Sequence, residues 1–384
     1  MVYQEGIDNM IASCTFRRLE IPLVEPMRTA YGEHRMKTAI LIELQSDSGA
    51  MGVAECVAMR EPTYTEESVA TAWHVIRHHL LPRLARAQRQ KTLEPDTLTE
   101  IWSDIRGNKM AQAAVEMAFW DLWSMEHDTS MTKLIGGVYE EINVGISIGI
   151  QVSMEKLLLR VERALQEGYR RIKLKISPEA DRDPLLAIRK AFPDVALMAD
   201  ANSAYRLDHM DRLLELDRLA LMMIEQPLAY DDMVDHAELQ ARLQTSICLD
   251  ESIRSAEDVR RAAKIGACRI VNIKPGRLGG IGEVIRAHQV AQQYKIGLWC
   301  GGMYETGVGR LHNLAVCALP GMVFPTDTGP SDRYFEHDIL KEPIRFEKPG
   351  ILRVRQTHGV AEWIDWEVVD AFTTDKLVVQ LRDL

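Results

Sequence analysis

Five segments, RIKLKI (171–176), VALMAD (195–200), LMMIE (221–225), SICLD (246–250) and RIVNIKP (269–275), decide the fold. Each is a short apolar run that ends on or beside a charged residue: Lys175, Asp200, Glu225, Asp250 and Lys274. Those residues lie about 25 positions apart, roughly the length of one strand, one helix and two loops, which is the repeat of a parallel βα barrel. Barrel active sites form at the carboxyl ends of the strands. A ladder of strand-end charges is therefore a ladder aimed at one mouth.

Working outward, NVGISIG, RIKLKI, ALMADAN, MMIEQP, SICLDES, RIVNIKP, GLWCGGM and MVFPTD read as eight strands separated by helical sequence such as MEKLLLRVERALQEG. Upstream, TFRRLEIPLVE and TAILIELQSDSGAMGVAE alternate apolar and polar residues, the pattern of an antiparallel meander turning at Ser46–Gly49. Between its first two strands lies EPMRTAYGEH, read as an exposed loop able to close over a site, with Pro26, Met27, Arg28, Thr29, Tyr31 and Gly32 as lid residues. Residues 64–136 have helical periodicity, and the stripe on Asn108–Met125 is a packing face with no assigned chemistry. After residue 330, IRFEKPGILRV suggests a hairpin at Pro349-Gly350, and the tail is expected to return to the first domain. The expected fold class is α/β: a (β/α)7β variant of the (β/α)8 barrel, at 139–330. An α+β capping domain accompanies it, from 1–138 and the C-terminal segment 331–384.

The chain has 384 residues, a net charge of −10 and no basic stripe, which argues against a nucleic-acid partner. No apolar run approaches the ~18 residues of a membrane span. Six cysteines without a C-x-x-C pair predict free thiols in a reducing cytoplasm. The expected partners are a small-molecule carboxylate and further copies of the chain.

Asp200, Glu225 and Asp250 come from successive strands. Any one alone could cap the following helix, but three in register repel one another unless a cation lies between them. Hard oxygen ligands suit Mg²⁺, with Mn²⁺ as a substitute. Asn202 and Glu251 are candidate auxiliary ligands. In RIKLKI the alternation sends Ile172, Leu174 and Ile176 to the helices and Lys173 and Lys175 into the barrel. Lys173, a metal and desolvation are all expected to lower the pKa of Lys175 towards that of a general base. Lys274, four strands further on, faces it from the other side. A substrate carboxylate between them, chelated by the metal, would lose its α-proton to form an enediolate. A Schiff-base aldolase would also use a strand-end lysine, but has no use for three carboxylates.

At GNKMAQAAVEMAFWDLW, RIKLKI, MADANSAY, IEQPL, CLDES, VNIKPGRLGG and CGGMYETGVGR, in that order, the chain resembles the enolase superfamily. It resembles in particular the muconate-lactonizing-enzyme-like branch and its o-succinylbenzoate synthase / N-succinylamino acid racemase group. The resemblance covers nearly the whole chain and implies Lys175 and Lys274 as the acid/base pair. It further implies Asp200, Glu225 and Asp250 as Mg²⁺ ligands, and Lys173 as a residue that orients the substrate carboxylate. It implies synthesis of o-succinylbenzoate, a menaquinone precursor, as the main activity with N-succinylamino acid racemisation as a side activity, and N-acylamino acid racemisation as the main activity in the alternative. Other epimerases or dehydratases of the superfamily are a more distant alternative. Arg277, in KPGR, matches the subgroup in which racemisation occurs, and its charge is expected to lower the pKa of Lys274. Tyr304 stands where many racemising relatives carry a smaller aliphatic residue, which favours the synthase.

Overall fold

The computed structural model describes residues 10–29 and 32–384, the side chains of 26–29 and 32–34 excepted. Three strands open the chain: β1 (Ile11–Thr29), β2 (Gly32–Ser46) and β3 (Met51–Cys56). The short β4 (Glu141–Asn143) follows a helical region. Seven strands then alternate with helices: β5 (Ile146–Ile148), β6 (Ile172–Lys175), β7 (Leu197–Asp200), β8 (Ile224–Glu225), β9 (Ile247–Leu249), β10 (Ile270–Ile273) and β11 (Gly297–Cys300). Near the end of the chain come β12 (Ile351–Arg353) and β13 (Thr373–Gln380).

β5 to β11 form one parallel sheet in sequence order. The eighth segment, MVFPTD, does not form a strand, because Pro325 has no N–H to offer a ladder. It still fills the gap between β11 and the start of β5 through parallel bridges Leu298↔Met322 and Val144↔Thr326. Hydrogen bonds on both sides complete the closure, Asp327 N–H to the Cys300 carbonyl (3.2 Å) and Thr326 N–H to the Asn143 carbonyl (3.0 Å). Seven βα units and a closing segment are the (β/α)7β barrel read from the sequence.

Alternation within the strands builds the interior in layers. Met198, Met223, Cys248, Ile270 and Trp299 form a small apolar cluster of their own. Two positions further along each of the first four strand segments stand Asp200, Glu225, Asp250 and Asn272, so period two lifts the acids directly above this apolar plug. Parallel register aligns Lys175 with Asp200 and Asp200 with Glu225.

The cap is an antiparallel sheet in the order β13-β1-β2-β3, and its outer strand β13 comes from the chain's far end. It packs on the Lys109–Glu126 helix, which is buried along most of its length. Contact is close because position 52 is glycine: a Cβ there would lie 2.1 Å from the Ala118 carbonyl oxygen. The same helix ties cap to barrel, since buried Glu116 accepts the N–H groups of Ile281 (2.8 Å) and Gly282 (2.7 Å) at the start of a barrel helix.

Three local readings change. EPMRTAYGEH is not a loop along its length: Met27, Arg28 and Thr29 pair with His34, Glu33 and Gly32, and the register shifts between Pro22 and Met27. Two prolines without N–H groups in that stretch leave the ladder unable to run through. Of the six lid residues, Pro26, Met27, Arg28, Thr29 and Gly32 are thus strand backbone, while Tyr31 lies outside the described residues. Second, Pro349-Gly350 does turn the chain, with Gly350 at φ +72°, and the hairpin is short: Lys348 bridges Ile351 and the Glu347 N–H meets the Ile351 carbonyl (3.0 Å), while β12 pairs with β4. Third, the helical periodicity read over residues 64–136 takes hold at Val69 and includes a π-helical stretch, Ile76–Leu80.

Candidate active site

All five ladder residues meet at the carboxyl ends of the barrel strands. Asp200, Glu225 and Asp250 are at most 1% exposed. Lys175 Nζ lies 2.6 Å from Asp200 Oδ2 and 2.5 Å from Asn202 Oδ1. On the far side Lys274 Nζ lies 2.8 Å from Asp250 Oδ2 and 3.0 Å from the Tyr64 hydroxyl. Lys173 Nζ reaches Glu225 (3.1 Å) and Asp200 (3.3 Å) from below. The two strand-end lysines thus flank the carboxylates.

Candidate auxiliary residues fall in the same place. Asn202 passes a hydrogen bond from its amide to Glu251 Oε1 (2.9 Å). Arg277 bonds Asp250 and the Tyr64 hydroxyl (3.3 Å), both of which Lys274 also contacts, and the carbonyls of Ile253 and Asn272. Tyr304 holds a left-handed backbone (φ +57°), and its ring meets Tyr334 edge-on at 5.7 Å. Lys173, Lys175, Lys274, Tyr64, Tyr304 and Asp327 are among the walls of a cavity of about 60 Å³. That is well below the ~300–1,000 Å³ of ordinary ligand sites. A second cavity of about 470 Å³, against the cap, shares Met59, Met303 and Tyr304 with it. The small cavity at the carboxylates and the larger one against the cap thus adjoin at Met59, Met303 and Tyr304.

The charges are strongly coupled. Burial, reinforced by Asp200, pushes Glu225 up to about 8, and burial with Asp250 pushes Glu251 up to about 7. Asp200 and Asp250 go the other way: burial opposes ionisation, but the neighbouring lysines, and Arg277 for Asp250, outweigh it. The expected depression of the lysine pKa values is not found here. Burial pulls Lys175 and Lys274 down, and Lys173 and Arg277 add to that, yet direct contact with Asp200 and Asp250 holds both ammonium groups above their usual range.

Among the described residues, no three acidic, histidine or cysteine side chains stand close enough to hold an ion as they are. Lysine nitrogens sit on the carboxylates instead. The donor chemistry nevertheless fits a hard divalent cation. Three buried carboxylates converge, one of them made unfavourable by the next, and Asn272 Oδ1 and Glu251 Oε2 are buried acceptors without a hydrogen-bond partner.

Three contributors had not been picked out from the sequence. Asp327, at the end of the closing segment, bonds Lys173 (2.5 Å) and Arg171 (2.7 Å), and Arg171 stacks over Trp299 at 4.9 Å. Continuing the 25-residue interval beyond Lys274 by two units reaches its neighbourhood. Asn272 donates to Glu225 Oε1 (2.6 Å) and lies two positions before Lys274 on the same face, so strand alternation points to it. Tyr64 comes from the cap, and no local pattern marks it.

With this geometry in view, comparison with known proteins is specific. Residues 12–136 match the mandelate racemase / muconate lactonizing enzyme N-terminal domain, and residues 156–368 match the enolase C-terminal domain-like family. A Geobacillus stearothermophilus protein named o-succinylbenzoate synthase is 46% identical over 93% of this chain and 94% of its own. A Thermus thermophilus protein named N-succinylamino acid racemase is 45% identical over 94% of this chain and 97% of its own. A solved structure described as a probable mandelate racemase from Alicyclobacillus acidocaldarius superposes with a TM-score of 0.92 at 48% identity, covering 97% of this chain and 100% of that one.

Proposed function

We propose a function for this chain, which belongs to the mandelate racemase / muconate lactonizing enzyme family of the enolase superfamily. It dehydrates 2-succinyl-6-hydroxy-2,4-cyclohexadiene-1-carboxylate to o-succinylbenzoate, a step of menaquinone synthesis. The observation that carries this reading is the pair of lysines on opposite sides of three buried carboxylates, in a chain 46% identical to a synthase. Asp200, Glu225 and Asp250 would hold Mg²⁺. Bound there, the ion would acidify the α-proton of the substrate carboxylate by stabilising the charge that develops on its oxygens.

With Asp200 engaged by a cation in place of the Lys175 ammonium that now contacts it, Lys175 acts as the neutral amine and takes that proton, and the C–H electrons enter the enediolate. They then return to form the ring double bond as the carbon–oxygen bond breaks. The same Lys175 proton passes to the departing hydroxyl, which leaves as water. Lys274 stays protonated and contributes charge opposite. Lys173, fixed by Asp327, orients the carboxylate. Residues 1–138 and 331–384 serve as a cap over the 139–330 barrel. Six free, buried thiols, together with the lack of any described helix long and apolar enough to cross a membrane, support a cytoplasmic enzyme. We extend the proposal to a homo-oligomer that takes a small carboxylate as its ligand.

A second reading, racemisation of N-succinylamino acids, is favoured by one observation: both lysines are held at strand ends by two acceptors each, as two proton-transfer groups need to be. The test is to assay the purified protein with Mg²⁺ on the cyclohexadiene carboxylate and on N-succinyl-phenylalanine side by side. Turnover of the first sustains the synthase, turnover of the second alone makes racemisation the main activity, and turnover of neither refutes both.

A further inference from the structure

We propose that Tyr64, a cap residue, is a positioning residue for Lys274, so that proton transfer on the Lys274 face depends on the cap while transfer on the Lys175 face does not. The inference rests on the acid/base reading of the two lysines and extends it to how each is aimed.

An ammonium has three N–H bonds in tetrahedral array, and fixing two of them directs the third. For Lys175 the two acceptors are Asp200 Oδ2 and Asn202 Oδ1, both on the barrel. For Lys274 one is Asp250 Oδ2, on the barrel, and the other is the Tyr64 hydroxyl, on the loop between β3 and the Val69–Val75 helix. A tyrosine hydroxyl has one proton to give and two lone pairs. Here the proton goes to Asp250 Oδ1 (2.9 Å), and the lone pairs receive Lys274 (3.0 Å) and Arg277 (3.3 Å). The hydroxyl is fully used, and it touches Lys274, its carboxylate partner and Arg277 together. The ring itself lies 4.7 Å from Lys274 Nζ, a cation–π contact on top of the hydrogen bond.

The loop that carries Tyr64 is anchored. Glu67 accepts the N–H groups of Met110 (2.8 Å) and Ala111 (3.0 Å), and the Val69 N–H bonds the Met59 carbonyl (2.8 Å). Tyr64 is therefore delivered by a braced segment of the cap, and Lys274 acquires its second acceptor only with the cap in place.

Tyr64→Phe tests this, because it keeps the ring and removes only the hydroxyl. The readout is α-deuterium incorporation from D₂O into each enantiomer of N-succinyl-phenylalanine. The Lys274 face is identified as the one whose exchange Lys274→Arg abolishes. Tyr64→Phe should slow exchange on that face ten-fold or more and on the Lys175 face less than three-fold. Asn202→Ala, which strips the second acceptor from Lys175, should show the opposite preference. Equal losses on both faces, or no loss on the Lys274 face, would overturn the role of Tyr64 and leave the function standing. A wild-type enzyme that exchanges neither enantiomer would overturn the role of Tyr64, and one that in addition makes no o-succinylbenzoate would overturn both.

Discussion

Replacing Asp327 with Asn should destabilise the protein by an amount the structure allows to be worked out. Asp327 accepts from Lys173 at 2.5 Å and from Arg171 at 2.7 Å, and those side chains are 5% and 1% exposed. Lys173 keeps Glu225 and Asp200 as partners, but Arg171 retains only the Pro325 carbonyl (3.0 Å) and the Trp299 face, with Nη1 already unpaired. Breaking a buried ion pair by removing one partner costs about 3–5 kcal/mol. At about 2.1 cal/mol/K per residue, a chain of 384 residues unfolds with an entropy near 0.8 kcal/mol/K, so the melting midpoint should fall by about 4–6 °C. Burial alone would raise the Asp327 pKa, but Arg171 and Lys173 outweigh it and hold the group below the ordinary carboxylate range. A depressed folded-state pKa gives stability that is present above the unfolded value of ~3.9 and lost below it. The deficit should therefore be constant between pH 5 and 8. Asp332→Asn is the control, since its 3.7 Å contact with Arg345 is 59% and 70% exposed and should be worth less than about 1 kcal/mol. Scanning calorimetry of the three proteins decides the matter. A midpoint for Asp327→Asn within about 1 °C of wild type, or no lower than that of Asp332→Asn, would refute the reasoning.

Excess chelator should abolish synthase turnover, and Mg²⁺ or Mn²⁺ should restore it; full activity in EDTA with no bound metal would rule out Asp200, Glu225 and Asp250 as ligands. Lys175→Ala should eliminate o-succinylbenzoate formation, measured by product absorbance, whereas Lys274→Arg keeps a cation that cannot act as a base and should retain some dehydration while losing racemisation. Gly52→Ala should lower cap stability by about 1–3 kcal/mol, because the added carbon would meet backbone of the Lys109–Glu126 helix; a melting point unchanged from wild type would count against that packing.

What could be read from the chain alone follows from the range of each interaction. Lys175, Asp200, Glu225, Asp250 and Lys274 were legible because strand alternation and βα repetition are local rules applied five times over. Asn272 and Asp327 obey the same rules, yet an asparagine within NIK and an aspartate after a proline each look like ordinary strand or turn chemistry. Tyr64 had no signal at all: its partner Asp250 is 186 positions away, and only the docking of the cap brings them together. The lysine pKa directions also could not be read, since they depend on whether an ammonium lies beside a carboxylate or a second cation, a matter of fractions of an ångström. The pairing of residues 27–29 with 32–34 escaped because Pro26 and Gly32 mark a loop in sequence, whereas pairing across a long two-stranded arm sets the backbone.

The arrangement of the cap sheet bears on how the protein is made. β1 is flanked by β2, which follows it at once, and by β13, which lies some ~340 residues later. At about 5–20 residues per second on the ribosome, one flank of β1 waits roughly 17–70 s for its neighbour while the entire barrel is synthesised. An open strand edge over that interval invites pairing with other nascent chains. The consecutive charges Arg17 and Arg18, followed by Glu20, lie on that strand, and charge is a common means of discouraging such pairing. A strand made after the barrel thus covers β1, and a ribosome stalled short of residue 373 would release a barrel whose cap sheet exposes β1 as its edge in place of β13.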